Sequence, residues 1–469
     1  MTDIATQTAL IPAGSTRPAW SRRRFLQAAG LAAGAGALGF PNLLQARGVN
    51  GRLDVGFVGI GGMGGSRLKE MLGCAANVVA LCDTDDDHLA TARRVAAGKG
   101  FRPKTFLDYR ELLAQDLDAV VIATPDHWHA PVAVAALKAG KHVFCEKPLA
   151  HSVGEARELR TLAGQFPKLL TQMGNQGSAS ANLRRGIEVI QAGAIGAVRE
   201  VHVWVAPSES FQAGQWNPTG SDPVPATLHW QNWIGPAAFH EYKKGLYHPK
   251  AWRAWYDFGG GSMADWGCHG LNLPVRALQL DYPTAIAADI PGDFTDGYPK
   301  QVRIRFDFAA RNGQPPVTLW WYDGRRLPDA AALPKGLLAH FGEVPDSGVL
   351  ILGEQGFTYG EPHTGSDYIQ LAGEKKVSGI LRHAATKAIA ETLPRSAGHL
   401  AEWVNACGGG PATFSPFATG GFLTEIAQAG VVALRTRKPL AWDGPAMRAT
   451  NAPEAKQFVR AKYRSEWTL

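Results

Sequence analysis

The six residues Gly59-Ile60-Gly61-Gly62-Met63-Gly64 directly follow the apolar run Val55–Val58 and precede a stretch patterned as a helix near Ser66–Leu72. A G-x-G-x-x-G turn in that place admits few folds. The first glycine permits a tight turn, the second lets a pyrophosphate approach the backbone, and the third lets helix and strand pack closely. The helix start adds free N–H groups for an anion. With 54 glycines in the chain, the motif has weight only through this strand-to-helix context. Roughly 20 residues further on, at the end of the next apolar run, stands Asp83. A carboxylate there bonds a ribose 2′-hydroxyl and repels a 2′-phosphate, which favours NAD over NADP. Gly59, Ile60, Gly61, Met63, Gly64 and Asp83 are the expected cofactor contacts.

The pattern continues as short apolar runs alternating with helical stretches. Strands are expected at Val55–Val58, Val78–Cys82, Ala119–Ile122, His142–Cys145 and Leu169–Met173. Helices are expected near Asp86–Ala97, Pro131–Ala139 and Val153–Ala163. Continuous apolar strands separated by helices imply a parallel sheet covered on both faces. This is an α/β doubly wound domain, whose ligands sit beyond the carboxyl ends of the strands. From about Asn175 the pattern changes to alternating segments, Val198–Val205, Ala285–Ile290, Val302–Phe308 and Pro316–Trp321, with Pro-rich loops such as Asn217–Pro225.

At 469 residues the chain is too long for one small core, and its five cysteines contain no C-x-x-C. They read as buried free thiols. The net charge of +7 raises the question of a nucleic-acid partner, but much of it lies near the N-terminus. Ser21-Arg22-Arg23-Arg24-Phe25-Leu26-Gln27 precedes an Ala/Gly-rich apolar run from Ala28 to Leu44. Paired arginines before a short apolar stretch mark a twin-arginine export signal, and the run is too broken to span a membrane. Residues 1–46 are expected to be this signal, and the expected location is the periplasm. The cleavage site is poorly defined, Leu44-Gln45-Ala46 ending in Ala but lacking the A-x-A form, so an uncleaved, membrane-tethered form stays open. Without the segment, which holds four arginines and one aspartate, the chain carries +4. No basic cluster with interleaved aromatics remains, so no nucleic-acid partner is expected.

Two metal motifs fail on spacing. Asp83-Thr84-Asp85-Asp86-Asp87 begins like a calcium loop, but His88 and Arg94 occupy the positions of its glycine and bidentate glutamate. The histidines of Asp126-His127-Trp128-His129 are two apart and do not share a helix face. No metal is expected.

Chemistry gathers at two other places. Val143-Phe144-Cys145-Glu146-Lys147-Pro148 puts a lysine at a strand's carboxyl end, facing the ligand crevice. Trp252-Arg253-Ala254-Trp255-Tyr256-Asp257 leads through three glycines to Ser262-Met263-Ala264-Asp265-Trp266-Gly267-Cys268-His269. Ser262 is expected to cap a helix, with Asp265 completing a variant capping box. Asp265 and His269, four apart, share a helix face, and the plain alternative is a structural Asp–His pair.

The Gly-rich turn, Asp83, Thr124-Pro125 with His129, and Glu146-Lys147-Pro148 together resemble the glucose–fructose oxidoreductase, inositol dehydrogenase and MocA (Gfo/Idh/MocA) family, especially its exported bacterial members. The likeness extends through Thr171–Gln176, Ala194-Ile195-Gly196, Phe258–Gly261, Trp442-Asp443 and Asn451–Ala455. It implies an NAD(P)-binding Rossmann domain at 47–174. It also implies an α/β domain at 175–469 with an open, mostly antiparallel sheet, serving substrate binding and oligomerisation as a dimer or tetramer. A C-terminal helix has room to pack back near the first domain. The resemblance adds Thr124, His129, Glu146 and Lys147 to the cofactor contacts and places Lys147, Asp265 and His269 around the substrate.

The implied activity is hydride transfer between a sugar-type secondary alcohol and NAD, with NADP disfavoured. His269 is the expected proton acceptor and Lys147 the group that stabilises the alkoxide, or these roles are exchanged. Twin-arginine machinery exports folded proteins, so the cofactor is expected to be tightly bound. Two alternatives are a redox-neutral NAD-dependent glycoside hydrolase or lyase, and a non-catalytic nucleotide- and sugar-binding protein.

Overall fold

The computed structural model describes residues 51–469 except 207–210, 212, 214–218, 293–295 and 466. The expected export signal, and the start of the Asn217–Pro225 loop, lie outside the described residues.

Six strands, β1 (Leu53–Val58), β2 (Ala76–Cys82), β3 (Lys104–Phe106), β4 (Ala119–Ile122), β5 (His142–Cys145) and β6 (Thr171–Met173), form one sheet in the order β3-β2-β1-β4-β5-β6. All its pairings are parallel. β4 and β5 are buried at every residue, as expected of strands covered on both faces. Register aligns their ends: Val58 pairs with Cys82 and with Ile122, and Ile122 pairs with Cys145. The residues that follow therefore stand in one row along the sheet edge: Gly59, Asp83, Ala123-Thr124 and Glu146-Lys147.

Two helices differ from the sequence pattern. The first runs Gly62–Met71, so the last three residues of the Gly-rich turn already belong to it. The helix expected at Pro131–Ala139 begins at Asp126 and holds Pro131 inside it. A proline there sacrifices one intrahelical bond. Eleven of the helix's 13 residues are buried, and that burial offsets the loss.

The second sheet has ten strands in the order β14-β13-β12-β11-β7-β10-β9-β8-β15-β16. Its centre comprises β7 (Val198–Trp204), β8 (Ala285–Asp289), β9 (Val302–Phe308), β10 (Val317–Asp323) and β11 (Gly348–Gly353). Next come β12 (Gly356–Gly360), β13 (Tyr368–Leu371) and β14 (Ser378–Gly379), with β15 (Leu440–Asp443) and β16 (Arg448–Ala449) at the far edge. Among the described residues β7 and β10 pair in parallel and the other pairings of this sheet are antiparallel. Along β9, Val302, Ile304, Phe306 and Phe308 are buried and alternate with Arg303, Arg305 and Asp307. Helices Gly261–Gly270 and Phe417–Thr436 cover the buried face: a Cβ at Gly270 would meet Val203 at 2.4 Å, and one at Gly430 would meet Phe306 at 2.9 Å.

The apolar helix Phe417–Thr436 also packs on the Rossmann helix Val153–Gln165. Arg157 and Arg160 of that helix meet Glu425 at 2.7 and 2.5 Å. Thr424 Oγ1 accepts from Leu149 N–H at 3.1 Å, and Gln428 Nε2 donates to Ala150 O at 2.9 Å. The segment just after Lys147-Pro148 is thus held from the far end of the chain.

Candidate active site

The row of strand ends opens onto a cavity of about 740 Å³, a size typical of cofactor sites. The Gly-rich turn forms one wall. Gly59 has φ +81°, and a Cβ there would lie 2.7 Å from the Ala123–Thr124 backbone. A Cβ at Gly64 would lie 2.1 Å from the Gly59 carbonyl oxygen, and one at Gly61 2.4 Å from the His88 ring. Met63 lines the cavity and is 40% exposed. Ile60 is buried and contributes its N–H, which donates to Asp83 Oδ2 at 2.8 Å. Gly61 N–H reaches the same oxygen at 3.3 Å, and Asp85 N–H donates to Oδ1 at 3.0 Å. Asp83 therefore braces the turn as well as facing the cavity.

Thr124 and Glu146 line the next stretch of wall. Thr124 Oγ1 is buried with no hydrogen-bond partner among the described residues. Glu146 Oε1 accepts from Arg67 Nε at 2.6 Å, while its buried Oε2 has no such partner. Burial pushes the Glu146 carboxyl up, against the pull of Arg67. Gly174 makes room for this side chain, since a Cβ there would lie 2.5 Å from Oε2. His129 bridges two carbonyls, Pro148 O at 2.6 Å from Nδ1 and Thr124 O at 2.9 Å from Nε2. Burial lowers its pKa to about 4, although both carbonyls favour the charged ring. His127 faces away, with Nε2 3.1 Å from Trp233 O. The two histidines thus have separate partners.

At the far end Lys147, preceding a cis proline, places Nζ 2.7 Å from Asp265 Oδ2. Arg253 Nε is 3.5 Å from Asp265 Oδ1. All three line the cavity. Asp265 makes this ion pair in place of the alternative structural pair with His269, because a lysine and an arginine converge on the carboxylate. His269 lies one turn on, is 3% exposed, and is not among the cavity-lining residues. Burial holds its pKa well below 6.5, reinforced by Lys147, His363, His399 and Arg67. Its Nδ1 has no hydrogen-bond partner among the described residues, and its ring lies 4.2 Å from that of His363. The expected capping box is also absent: Gly260 occupies the cap and Ser262 lies within the helix, because the glycine run carries the chain into the helix earlier.

The features on this wall fit a nicotinamide dinucleotide. The turn is a cradle that side chains would fill, and Thr124 and Glu146, each with an orphaned buried polar atom, line the same space. Gly59–Gly64 and Asp83 would hold the phosphates and a ribose, and Thr124 and Glu146 the remaining half.

A family model described as an oxidoreductase family with an NAD-binding Rossmann fold matches residues 53–172. The C-terminal alpha/beta domain of the same family matches residues 189–313. The chain belongs to the Gfo/Idh/MocA oxidoreductase family. Its first domain is that family's NAD-binding domain.

An inositol 2-dehydrogenase of Rubrobacter xylanophilus is 35% identical over 154 residues, covering 32% of this chain and 43% of that protein. An alpha-N-acetylgalactosaminidase of Shewanella oneidensis is 37% identical over 131 residues, covering 26% and 28%. The chain thus spans less than half the length of these curated relatives. Among solved structures, the WlbA dehydrogenase of Bordetella pertussis, in complex with NADH and UDP-GlcNAcA, aligns with a TM-score of 0.57 at 17% identity. That alignment covers 83% of this chain and 97% of that one. A levoglucosan dehydrogenase in complex with NADH and levoglucosan aligns with a TM-score of 0.55 at 18% identity, covering 83% and 99%. At such identity these structures share the Gfo/Idh/MocA fold.

Sequence reasoning did not find Arg67, which pairs with the cavity-lining Glu146, nor several cavity residues themselves. Arg67 follows the Gly-rich turn and reads as an ordinary helical arginine. Asp126 is 2% exposed and lines the cavity, where burial and the neighbouring Asp265 push its carboxyl well above 3.8. Arg464 and Trp467, near the C-terminus, line the opposite wall. Trp467 meets Trp128 edge-on at 5.0 Å, and Arg110 stacks on it at 5.2 Å. Only tertiary packing brings these residues in.

Proposed function

We propose that this chain is an NAD-dependent oxidoreductase acting on a sugar-type secondary alcohol, a polyol or a glycoside. The observation that carries this reading is the Lys147–Asp265 pair, which lines the same cavity as the Gly-rich turn. The nicotinamide, when bound, supplies the hydride acceptor or donor. Lys147 orients the substrate hydroxyl and stabilises the negative charge that develops on its oxygen. Asp265 holds the ammonium in place and can receive a proton through it. His269, neutral and one turn along the helix from Asp265, is the second acceptor, its ring 4.2 Å from that of His363. Arg253 and Trp252 offer a donor and a stacking face to a sugar.

A redox-neutral glycosidase is the second reading, favoured by the match to glycosyl hydrolase family 109 proteins over about a quarter of the chain. Both readings retain the site and differ in the product.

The chain is exported by the twin-arginine machinery to the periplasm with NAD already bound, and it assembles as a dimer or tetramer. The motif at Arg22–Arg24 supports export. The sheet face bearing Arg303, Arg305 and the partly exposed Trp320 supports self-association.

A carbohydrate panel monitored together by cofactor absorbance and product mass tests the function. Net NADH formation supports the dehydrogenase, and cleavage without it supports the glycosidase. Purified protein without stoichiometric nucleotide overturns tight cofactor binding. Full activity in Lys147→Ala overturns the site.

A further inference from the structure

At the entrance to the cavity the end of β2 meets a loop from far along the chain. Asp85, His88 and His248 bring one carboxylate oxygen and two imidazole nitrogens within 4.8 Å of one another. Asp85 Oδ2 is 3.4 Å from His248 Nε2 and 4.0 Å from His88 Nε2. We propose that these three residues form a binding site for one divalent cation of the zinc class.

The donor set fits that class. Two imidazoles, which are borderline ligands, with one hard carboxylate suit zinc, cobalt or nickel rather than calcium or magnesium, which take all-oxygen sets. Ligand atoms around a tetrahedral zinc at about 2.05 Å stand about 3.3 Å apart. The Asp85–His248 separation of 3.4 Å already matches, and His88 Nε2, 4.0 Å from Asp85 Oδ2, has about 0.7 Å to close by a small side-chain rotation.

Each ligand is also oriented from behind. Asp85 Oδ1 accepts from Asp87 N–H at 3.0 Å, which turns Oδ2 toward the histidines. His88 Nδ1 lies 3.4 Å from Asp83 Oδ1. With Nδ1–H donated to that carboxylate, the Nε2 lone pair faces Asp85. This is the second-layer arrangement that fixes the tautomer of metal-binding histidines. The Trp233 ring flanks His248 edge-on at 6.1 Å. Asp85 is 7% exposed, so the oxygen that would meet the ion is largely shielded from bulk water.

The backbone ties the Asp85 segment to residues 227–229, ahead of the loop that carries His248, without the ion. Asp86 N–H donates to Thr227 O and His229 N–H to Thr84 O, both at 2.9 Å. Both histidines line the cavity. An ion held by three protein ligands would keep one position open to that space, beside Gly61, for water or an oxygen of a bound ligand. The site escapes sequence reading because Asp85 and His88 lie in a failed calcium-loop pattern and the third ligand arrives through folding alone.

The test uses the full chain, stripped with a chelator and dialysed. Zn²⁺ is titrated against a chromogenic competitor, and Co²⁺ is followed by its visible absorption. One equivalent is expected, with a tetrahedral cobalt spectrum. His248→Ala and Asp85→Asn are each expected to weaken uptake at least tenfold, while His229→Ala, on the neighbouring exposed histidine, leaves it unchanged. Asp85→Asn keeps the backbone cap, so its far-UV circular dichroism separates loss of metal from loss of fold. No stoichiometric uptake, or uptake unchanged in both His248→Ala and Asp85→Asn, overturns the proposal.

Discussion

The ammonium of Lys147 lies 2.7 Å from Oδ2 of Asp265, joining the end of a Rossmann strand to a helix of the second domain. The lysine side chain is 11% exposed and the aspartate 8%. In such a setting, removing one partner costs more than the pair contributes as a whole, because the other charge is left buried.

The two single substitutions should therefore differ. Lys147→Ala leaves Asp265 with Arg253, 3.5 Å away. Asp265→Ala leaves Lys147 and Arg253 facing each other without a carboxylate. Removing one partner of a buried pair costs about 3–5 kcal/mol, and Asp265→Ala is expected at the upper end. Denaturant unfolding of the two variants and the double variant measures the coupling. Turnover is expected to fall at least 100-fold in Lys147→Ala, in line with loss of one charge-stabilising group.

The Gly-rich turn makes a separate prediction. A methyl group at position 64 would sit 2.1 Å from the Gly59 carbonyl oxygen, so the turn must open to admit it. Overpacking of this kind costs about 1–3 kcal/mol. Gly64→Ala is expected to keep its secondary structure while losing most NAD affinity, measured by calorimetry or by the nucleotide retained through purification. Gly140, with open space around its Cβ position, is no control, because its φ of +73° strains any substitution. Gly164 has neither restriction, and Gly164→Ala should bind NAD normally.

What the sequence revealed follows the range of the interactions. The parallel strands were legible because burial on both faces leaves continuous apolar runs, as in Ala119–Ile122 and His142–Cys145. Residues 59–64, 83, 124 and 146–147 were legible because each directly follows a strand, and register then aligns them. Asp265 and His269 were visible as one helix face, but the partner of Asp265 was not. Its choice of Lys147 over His269 is a contact between domains, which no local spacing records. Arg67, Asp126 and Trp467 were hidden because contacts distant in sequence, within a domain or between domains, bring them to the site. The start of the helix at Asp126 was hidden because Pro131 reads as a first-turn residue.

His269 gives a pH prediction. Burial first, then Lys147 and the neighbouring histidines, hold its folded-state pKa well below 6.5. Below pH 6.5 the unfolded chain takes up a proton that the folded chain refuses. The stability tied to the neutral ring is present above pH 6.5 and is lost as pH falls toward the folded pKa. His269→Gln removes this titration, so its stability relative to the parent should rise between pH 6.5 and 5. Histidine NMR should show no titration of His269 between pH 6 and 8. The acid limb of kcat/KM should likewise not fall at the ordinary histidine value.

Asp126 has the opposite sign. Burial, with Asp265 nearby, raises its folded-state pKa well above 3.8, against the weaker pull of Arg253 and Lys147. The folded chain therefore keeps a proton that the unfolded chain has released. The stability this provides is full below pH 3.8 and is lost as pH rises through the folded value. Asp126→Asn replaces a protonated carboxyl with a group of similar shape that never ionises. Its stability relative to the parent should therefore increase as pH rises from 4 toward neutrality, read as midpoints of urea unfolding. A constant difference across that range would mean that Asp126 is ionised in the folded protein. In that case the cavity would hold two carboxylates, Asp126 and Asp265, balanced by the two cations Lys147 and Arg253.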